Sequence, residues 1–278
     1  MPRAGILGNP TPYTTFGTFA GLPFWPGGLS LLAAAPGIGK TSWMLRMIFE
    51  ATGQNVPSAL GCYEHTPQEL KYRLRMQAQA VVAGAHAVAE ESAIEKRLAL
   101  GSEAVLLSLS DKEDTVRALE DMLLEDYGFP EQGLALLAVD YLNRVPVVGL
   151  TGMLSEATRG GEAAAMLREL SRRHGWAVIA AAALKSDSFA EGQELSALLG
   201  DERVPYEADR VLLMRRAHQV GNCGCVALHV HTLKDRTGPA RTWEMLFWGA
   251  RFYPALENEF HRHSVPAVGH IVPEVGHA

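Results

Sequence analysis

Five short apolar runs, at residues 29–34, 59–63, 105–109, 134–139 and 177–182, recur along the chain, each followed by a helical pattern or a loop. Uninterrupted apolar runs of this length fit strands buried on both faces, and their alternation with helices predicts a mainly parallel α/β sheet. Helical spacing predicts helices over 40–51, 67–82, 112–125 and 162–174, and the Ala- and Glu-rich stretch 83–100 predicts another. From residue 211 the pattern changes. The runs 211–214, 226–232 and 242–247 are strand-like, joined by polar connections with no helix between them, and predict an antiparallel C-terminal edge. No internal repeat interrupts this order. One domain is expected over 29–254, with a Gly-, Pro- and Thr-rich N-terminal arm at 1–28 and a C-terminal tail at 255–278.

Composition narrows the class. Of 278 residues, 47% are hydrophobic and 20% charged, as in a soluble domain with a substantial core. The net charge of −6 excludes a broad basic field, so any nucleic-acid contact must be local. Three cysteines, Cys62, Cys223 and Cys225, are too few for a disulfide framework, and no signal segment opens the chain; a reducing cytoplasm is the expected compartment. The longest apolar stretch, 176–184, is far too short to cross a bilayer and reads as a buried strand, so no membrane association is expected.

The segment Ala34-Ala35-Pro36-Gly37-Ile38-Gly39-Lys40-Thr41 follows a strand and opens a helix, the context that a phosphate-binding loop requires. Gly37 and Gly39 allow the backbone to bend so that N–H groups converge on phosphate, where the positive end of the helix adds its dipole. Pro36, Gly37, Ile38, Gly39, Lys40, Thr41 and Ser42 are therefore candidate ATP contacts, with Lys40 on the β and γ phosphates and the Thr41 hydroxyl on Mg2+. Ala34 stands where glycine is more usual.

Two strands end in carboxylates. The run 134–139 leads into Asp140, the natural partner of Thr41 in holding Mg2+. The run 59–63 leads into Glu64, and Thr66-Pro67-Gln68-Glu69 then spells a capping box with proline at the first helical position. On that strand-to-helix turn Glu64 is a candidate general base for the water that attacks the γ phosphate. The plainer readings are a turn aspartate and a solvated turn glutamate.

Three segments together resemble the C-terminal motor domain of the DnaB-type replicative helicases, within the RecA-like superfamily, over roughly residues 15–253. They are Tyr63-Glu64-His65-Thr66-Pro67-Gln68-Glu69-Leu70 with Arg73, Asp140-Tyr141-Leu142-Asn143, and Lys234-Asp235-Arg236-Thr237-Gly238-Pro239. The resemblance implies a RecA-like P-loop NTPase core in which Glu64 is catalytic and Arg73 lies among the nucleotide contacts. It also makes Arg236 an arginine finger partnered by Lys234, both acting on an ATP held by a neighbouring chain. It implies a homo-oligomer, most often a hexameric ring, with single-stranded DNA, and a primase or loader, as partners. Taken alone, a basic hairpin is more often a solvated edge. Glu207-Ala208-Asp209 resembles a further family segment, with no chemistry assigned to it.

Two departures stand out. The family's γ-phosphate-sensing glutamine aligns with Ala183, whose side chain can make no hydrogen bond, so coupling to DNA must be weak, absent or rerouted through Asn143 or Lys185. Only residues 1–28 precede the first strand, where the bacterial enzymes carry a collar domain and linker. The expected DNA loops, 145–161 and 185–201, offer Arg159 and Lys185, with Gly160 and Gly161 as backbone donors, against five acidic side chains.

These features point to an ATP-hydrolysing helicase motor acting on single-stranded DNA in replication. The alternative is a non-translocating ATPase of the same superfamily, resembling recombinase-mediator or clock-type relatives, whose hydrolysis controls assembly. A small-molecule kinase would need an arginine-rich lid, and none is visible. Cys223, Cys225, His229 and His231 span too much strand to share one metal ion and are read as structural.

Overall fold

The structure is a computed structural model that describes residues 25–255 apart from 84–89, 148–154, 186–193, 221–223 and 237. Most of the expected arm and tail, Cys223, and the middle of each expected DNA loop lie outside the described residues.

A nine-stranded sheet has the order β3-β2-β4-β5-β1-β6-β7-β8-β9. Its strands are β1 (Leu29–Ala34), β2 (Ser58–Cys62), β3 (Val105–Ser108), β4 (Leu136–Asp140), β5 (Ala177–Ala182), β6 (Arg210–Val220), β7 (Cys225–Asp235), β8 (Thr242–Trp248) and β9 (Tyr253–Ala255). The first six strands in chain order pair in parallel, and β7, β8 and β9 add on as an antiparallel extension. β6 belongs to both parts, since it runs parallel to β1 and antiparallel to β7.

Helices cover the sheet: α1 (Lys40–Thr52), α2 (Pro67–Ala83), α3 (Glu91–Ala99), α4 (Val116–Glu125), α5 (Glu156–His174) and the short α6 (Arg203–Glu207). Alternate strand residues feed two cores. Leu32 and Ala34 of β1 pack with Trp43, Met44, Met47 and Ile48 of α1, whereas Leu31 and Ala33 pack with Leu119 and Leu123 of α4 and Leu167 and Leu170 of α5. That period-two division is what a strand buried on both faces produces. β5, with four alanines in six residues, keeps the strand surface low so that helices approach closely on each side.

Two helix starts differ from the expectation. α4 starts at Val116 rather than 112, because Thr115 Oγ1 accepts from Ala118 N at 3.1 Å as the N-cap while Ser110 N donates to Asp114 Oδ2 at 2.5 Å, holding the preceding residues as a turn. α5 starts at Glu156 rather than 162, with Ser155 as its cap. Its first turns therefore include Gly160 and Gly161, which the sequence pattern places in a loop. A Cβ on Gly160 would meet Asn143 Nδ2 at 2.8 Å, and one on Gly161 would run into the Asp201 carboxylate. The two glycines mark close packing. Of the stretch 83–100, α3 occupies Glu91–Ala99, and residues 84–89 lie outside the described residues.

Candidate functional site

The C-terminal ends of β1, β2 and β4 lie along one edge of the sheet. Cys62 is in register with Asp140, and Tyr63 N donates to Asp140 O at 2.7 Å. In a parallel sheet this edge is where strand-to-helix turns bring backbone donors and side chains together.

After Ala34 the chain turns through Gly37 (φ 76°) and Gly39 (φ 107°), both in the left-handed region, into α1. Space is open around Gly37, so glycine there answers a dihedral need alone; at Gly39 a Cβ would also press on the Phe247 ring at 3.0 Å. No side chain caps α1 at Gly39, which leaves the helix's first N–H groups facing the loop. Pro36 and Gly37 form the exposed tip, and Ile38 is buried beneath it. Lys40 Nζ curls back to the carbonyls of Ala34 at 2.8 Å and Ala35 at 3.1 Å, which keeps its charge over the loop.

Thr41 Oγ1 donates to Asp140 Oδ2 at 2.5 Å, and both residues are buried. Burial raises the Asp140 carboxyl above its usual range and the Glu64 charge pushes the same way, against the Thr41 hydrogen bond and the Lys40 charge. Adjacent hydroxyl and carboxylate oxygens are hard donors suited to Mg2+, so the donor set fits that ion. The peptide between Asp140 and Tyr141 is cis.

Glu64 is exposed on the turn after β2, and its carboxylate, the His65 ring and the Asp140 carboxylate bring donor atoms within 4.8 Å of one another. The capping box closes as expected: Thr66 N donates to Glu69 Oε2 at 2.7 Å and Glu69 N to Thr66 Oγ1 at 3.3 Å. Cys62 lies behind these groups, fully buried, with Sγ 3.9 Å from Asp140 Oδ2. Burial, and then the Asp140 charge, push its thiol up to about 12, so it stays a thiol.

Arg73 stacks its guanidinium over the Phe252 ring, 4.9 Å from the centroid. One helical turn further, Gln77 Nε2 donates to Ser42 O at 2.9 Å and Phe252 O at 2.8 Å, which clamps α2 to the first turn of α1. Arg73 is thereby carried on the helix face that meets α1. The Ser42 side chain is buried, with no hydrogen-bond partner for Oγ among the described residues.

Lys234 and Arg236 lie at the other end of the sheet. Ser30 pairs with Arg210 and Arg210 with Asp235, so the basic pair is level with the start of β1. Four strand positions, about 13 Å at 3.3 Å per residue, separate that level from Ala34. Both side chains point the same way: Lys234 Nζ donates to Pro205 O (2.6 Å) and Tyr206 O (3.1 Å), and Arg236 donates to Tyr206 O (2.8 Å) and, at 3.4 Å, to Asp209 Oδ1. Asp209 Oδ2 also accepts from Leu29 N at 2.9 Å and pairs with Arg168.

The expected nucleic-acid residues lie on two different elements. Arg159 sits in α5 rather than in a loop, half-buried, and the Gly160 and Gly161 N–H groups lie within that helix, where its own ladder engages them. The backbone donors expected there are thus committed elsewhere. Lys185 is exposed just after β5 and donates to Ser196 O at 3.0 Å. Ala183 O accepts from Leu199 N at 2.8 Å, and Asn143 Nδ2 donates to Leu199 O at 3.0 Å, so Asn143 links the end of β4 to the segment that follows β5.

The sequence alone assigns no role to His65, Gln77, Phe247 or Asp209. Gln77 and Phe247 carry no local signal, because their partners come from remote elements. Asp209 stands out only through the resemblance of Glu207-Ala208-Asp209 to a family segment, which says nothing of its chemistry.

Among solved structures, one described as an ATPase domain superposes with a TM-score of 0.64 at 17% identity, over 84% of this chain and 85% of that one. A DnaB-like replicative helicase, described with its interactions with primase, gives 0.63 at 18% identity, over 81% of this chain and 58% of that one. The RadB recombinase gives 0.50 at 19% identity, over 80% and 88%. At these identities the likeness concerns the fold, which is RecA-like. No curated protein sequence matches the chain. The family described as DnaB-like helicase C terminal domain matches residues 11–252, most of the chain, and the chain belongs to that family.

Proposed function

We propose that the chain is a Mg2+-dependent ATPase that works between neighbouring copies of itself and acts on single-stranded DNA as a replicative helicase motor. The single observation that carries the ATPase reading is the 2.5 Å contact of Thr41 with buried Asp140, beside Lys40 and Glu64.

In this reading the loop N–H groups, the start of α1 and Lys40 hold the β and γ phosphates, with Arg73 alongside, and Thr41 with Asp140 holds Mg2+. When bound, Mg2+ supplies positive charge against the charge that develops on the phosphates. Glu64 accepts a hydrogen bond from the attacking water and takes up its proton. Arg236, with Lys234 beside it, completes the site of the next chain, because the register of β1, β6 and β7 sets the pair too far from its own phosphate loop. A ring, most often of six in the family, satisfies this requirement for every member, and a primase or loader is the expected further partner. Arg159 and Lys185 remain the candidate DNA contacts, each repeated once per chain around a ring.

Ala183 favours a second reading, in which hydrolysis controls assembly and does not drive movement along DNA. The deciding experiment is the ATP hydrolysis rate with and without single-stranded DNA at low and moderate salt, with Glu64→Gln as control. A several-fold stimulation that fades with salt supports the motor. A Glu64-dependent rate indifferent to DNA supports the assembly switch, and a rate unchanged by Glu64→Gln overturns the catalytic assignment.

A further inference from the structure

The turn after β2 carries a group that phosphate chemistry does not call for. His65 follows Glu64 directly, and its imidazole reaches the same small region as the carboxylates of Glu64 and Asp140. We propose that Glu64, His65 and Asp140 form a nucleotide-independent site for a borderline divalent cation, of the Co2+ and Zn2+ class.

Three donors held at about 2.0–2.2 Å from one ion stand roughly 3–4 Å apart. The observed separations, all within 4.8 Å, need only small side-chain rotations to close. Asp140 is buried and fixed by Thr41 and so serves as the anchor, while Glu64 is exposed and His65 half-buried, both able to rotate toward it. Charge favours an occupant, since Glu64 and Asp140 repel across the gap and a dication between them removes that repulsion.

The nitrogen donor decides the class of ion. Mg2+ prefers oxygen ligands in a near-ideal octahedron and keeps its waters, whereas imidazole suits Zn2+ and its neighbours in the transition series. A carboxylate stands near the ring, at ion-pair distance and beyond hydrogen-bond reach. Glu69 Oε2 lies 3.9 Å from His65 Nδ1, and the capping box between Thr66 and Glu69 fixes the backbone that follows it. Cys62, fully buried beside Asp140, lies outside the group of donors that are all within 4.8 Å of one another.

One consequence rests on the proposed role of Glu64: a cation that takes the Glu64 carboxylate as ligand removes it from water, so Zn2+ inhibits hydrolysis supported by Mg2+. The binding half needs no nucleotide and is independent of that reading, so the two fail separately.

The test is titration of the nucleotide-free protein with Co2+, followed by visible absorption, for the parent, His65→Gln, Glu64→Gln and Lys40→Ala. The expected result is one equivalent of Co2+ that both His65→Gln and Glu64→Gln weaken at least tenfold and Lys40→Ala leaves in place, with all variants melting as the parent does. Equal binding by parent and His65→Gln, or an equivalent that appears only when ATP is added, overturns the site. In a parallel assay, the Zn2+ concentration that halves Mg2+-supported hydrolysis is expected to rise at least tenfold in His65→Gln; no change there overturns the inhibitory consequence.

Discussion

Arg236 and Asp209 meet twice: the Arg236 backbone N–H donates to the Asp209 carbonyl at 2.9 Å, and its guanidinium reaches the Asp209 carboxylate at 3.4 Å. Asp209 in turn receives Leu29 N and pairs with Arg168 of α5. The arginine is tethered to the start of its own β1, at the opposite end of that strand from the turn into α1.

That tether makes an in-trans role testable by mixing. Arg236→Ala is expected to lower hydrolysis by about 10³-fold or more, as removal of an arginine finger does, and Lys40→Ala to leave a chain without measurable hydrolysis of its own. Mixed, they are expected to regain activity at interfaces that pair an intact Lys40 with an intact Arg236. No recovery, once fluorescence transfer shows that the two chains mix, excludes the shared site.

Asp140 predicts a pH-dependent stability. Its folded-state carboxyl is raised above the ordinary value, so the folded chain holds that proton more tightly than the unfolded chain does. Stability from this group is therefore lost as pH rises from the ordinary carboxylate range through the raised value. Without nucleotide or divalent ions, Asp140→Asn is expected to melt above the parent at pH 8, by about 2–4 °C for each kcal/mol relieved. The gap should narrow on acidification while activity is absent throughout. A variant that melts below the parent at every pH rules out relief of a buried charge.

Gly39 combines a left-handed backbone with contact to Phe247. Gly39→Ala is expected to weaken ATP binding at least tenfold, because an L side chain strains the turn by about 1–3 kcal/mol and pushes on the ring. Fluorescent-nucleotide titration measures it. Phe247→Ala in the same background is expected to recover only the steric part, and full recovery means that the dihedral contributes nothing.

Asn143 bridges β4 to the segment after β5 through Leu199 O, at a place where Ala183 offers no side-chain hydrogen bond. Asn143→Ala is expected to keep basal hydrolysis within a few-fold and to abolish any stimulation by single-stranded DNA. Retained stimulation removes Asn143 from the coupling route. Gly160→Ala, which drives a methyl into Asn143 Nδ2, is expected to cost about 1–3 kcal/mol of stability in a denaturant melt.

Legibility in the sequence follows how local the cause is. β1 and β5 are legible to the residue, since each is an apolar run buried on both faces. The Thr66–Glu69 box and the carboxylates at two strand ends are likewise visible, because their chemistry lies within a few residues. The start of α5 is not, because Gly160-Gly161 spells a break and only the proximity of Asn143 and Asp201 explains it. The outer half of β6, residues 215–219, is exposed and gives no alternation to read, and the three residues of β9 make a strand only because β8 offers them an edge. His65 looks like a turn residue until the fold sets Asp140 beside it.

The offset between the Arg236 end of β7 and the phosphate loop has an arithmetic consequence under the proposed in-trans chemistry. Each chain then gives at one flank and receives at another, and a head-to-tail contact of this kind is heterologous. In an open file of n chains, one terminal pocket lacks its arginine and one terminal arginine has no pocket, leaving n − 1 complete sites. Closing the file adds the last site without any new kind of contact. The gain in turnover per chain from closure is therefore largest for small n, and titrating chain concentration against specific activity reads it directly.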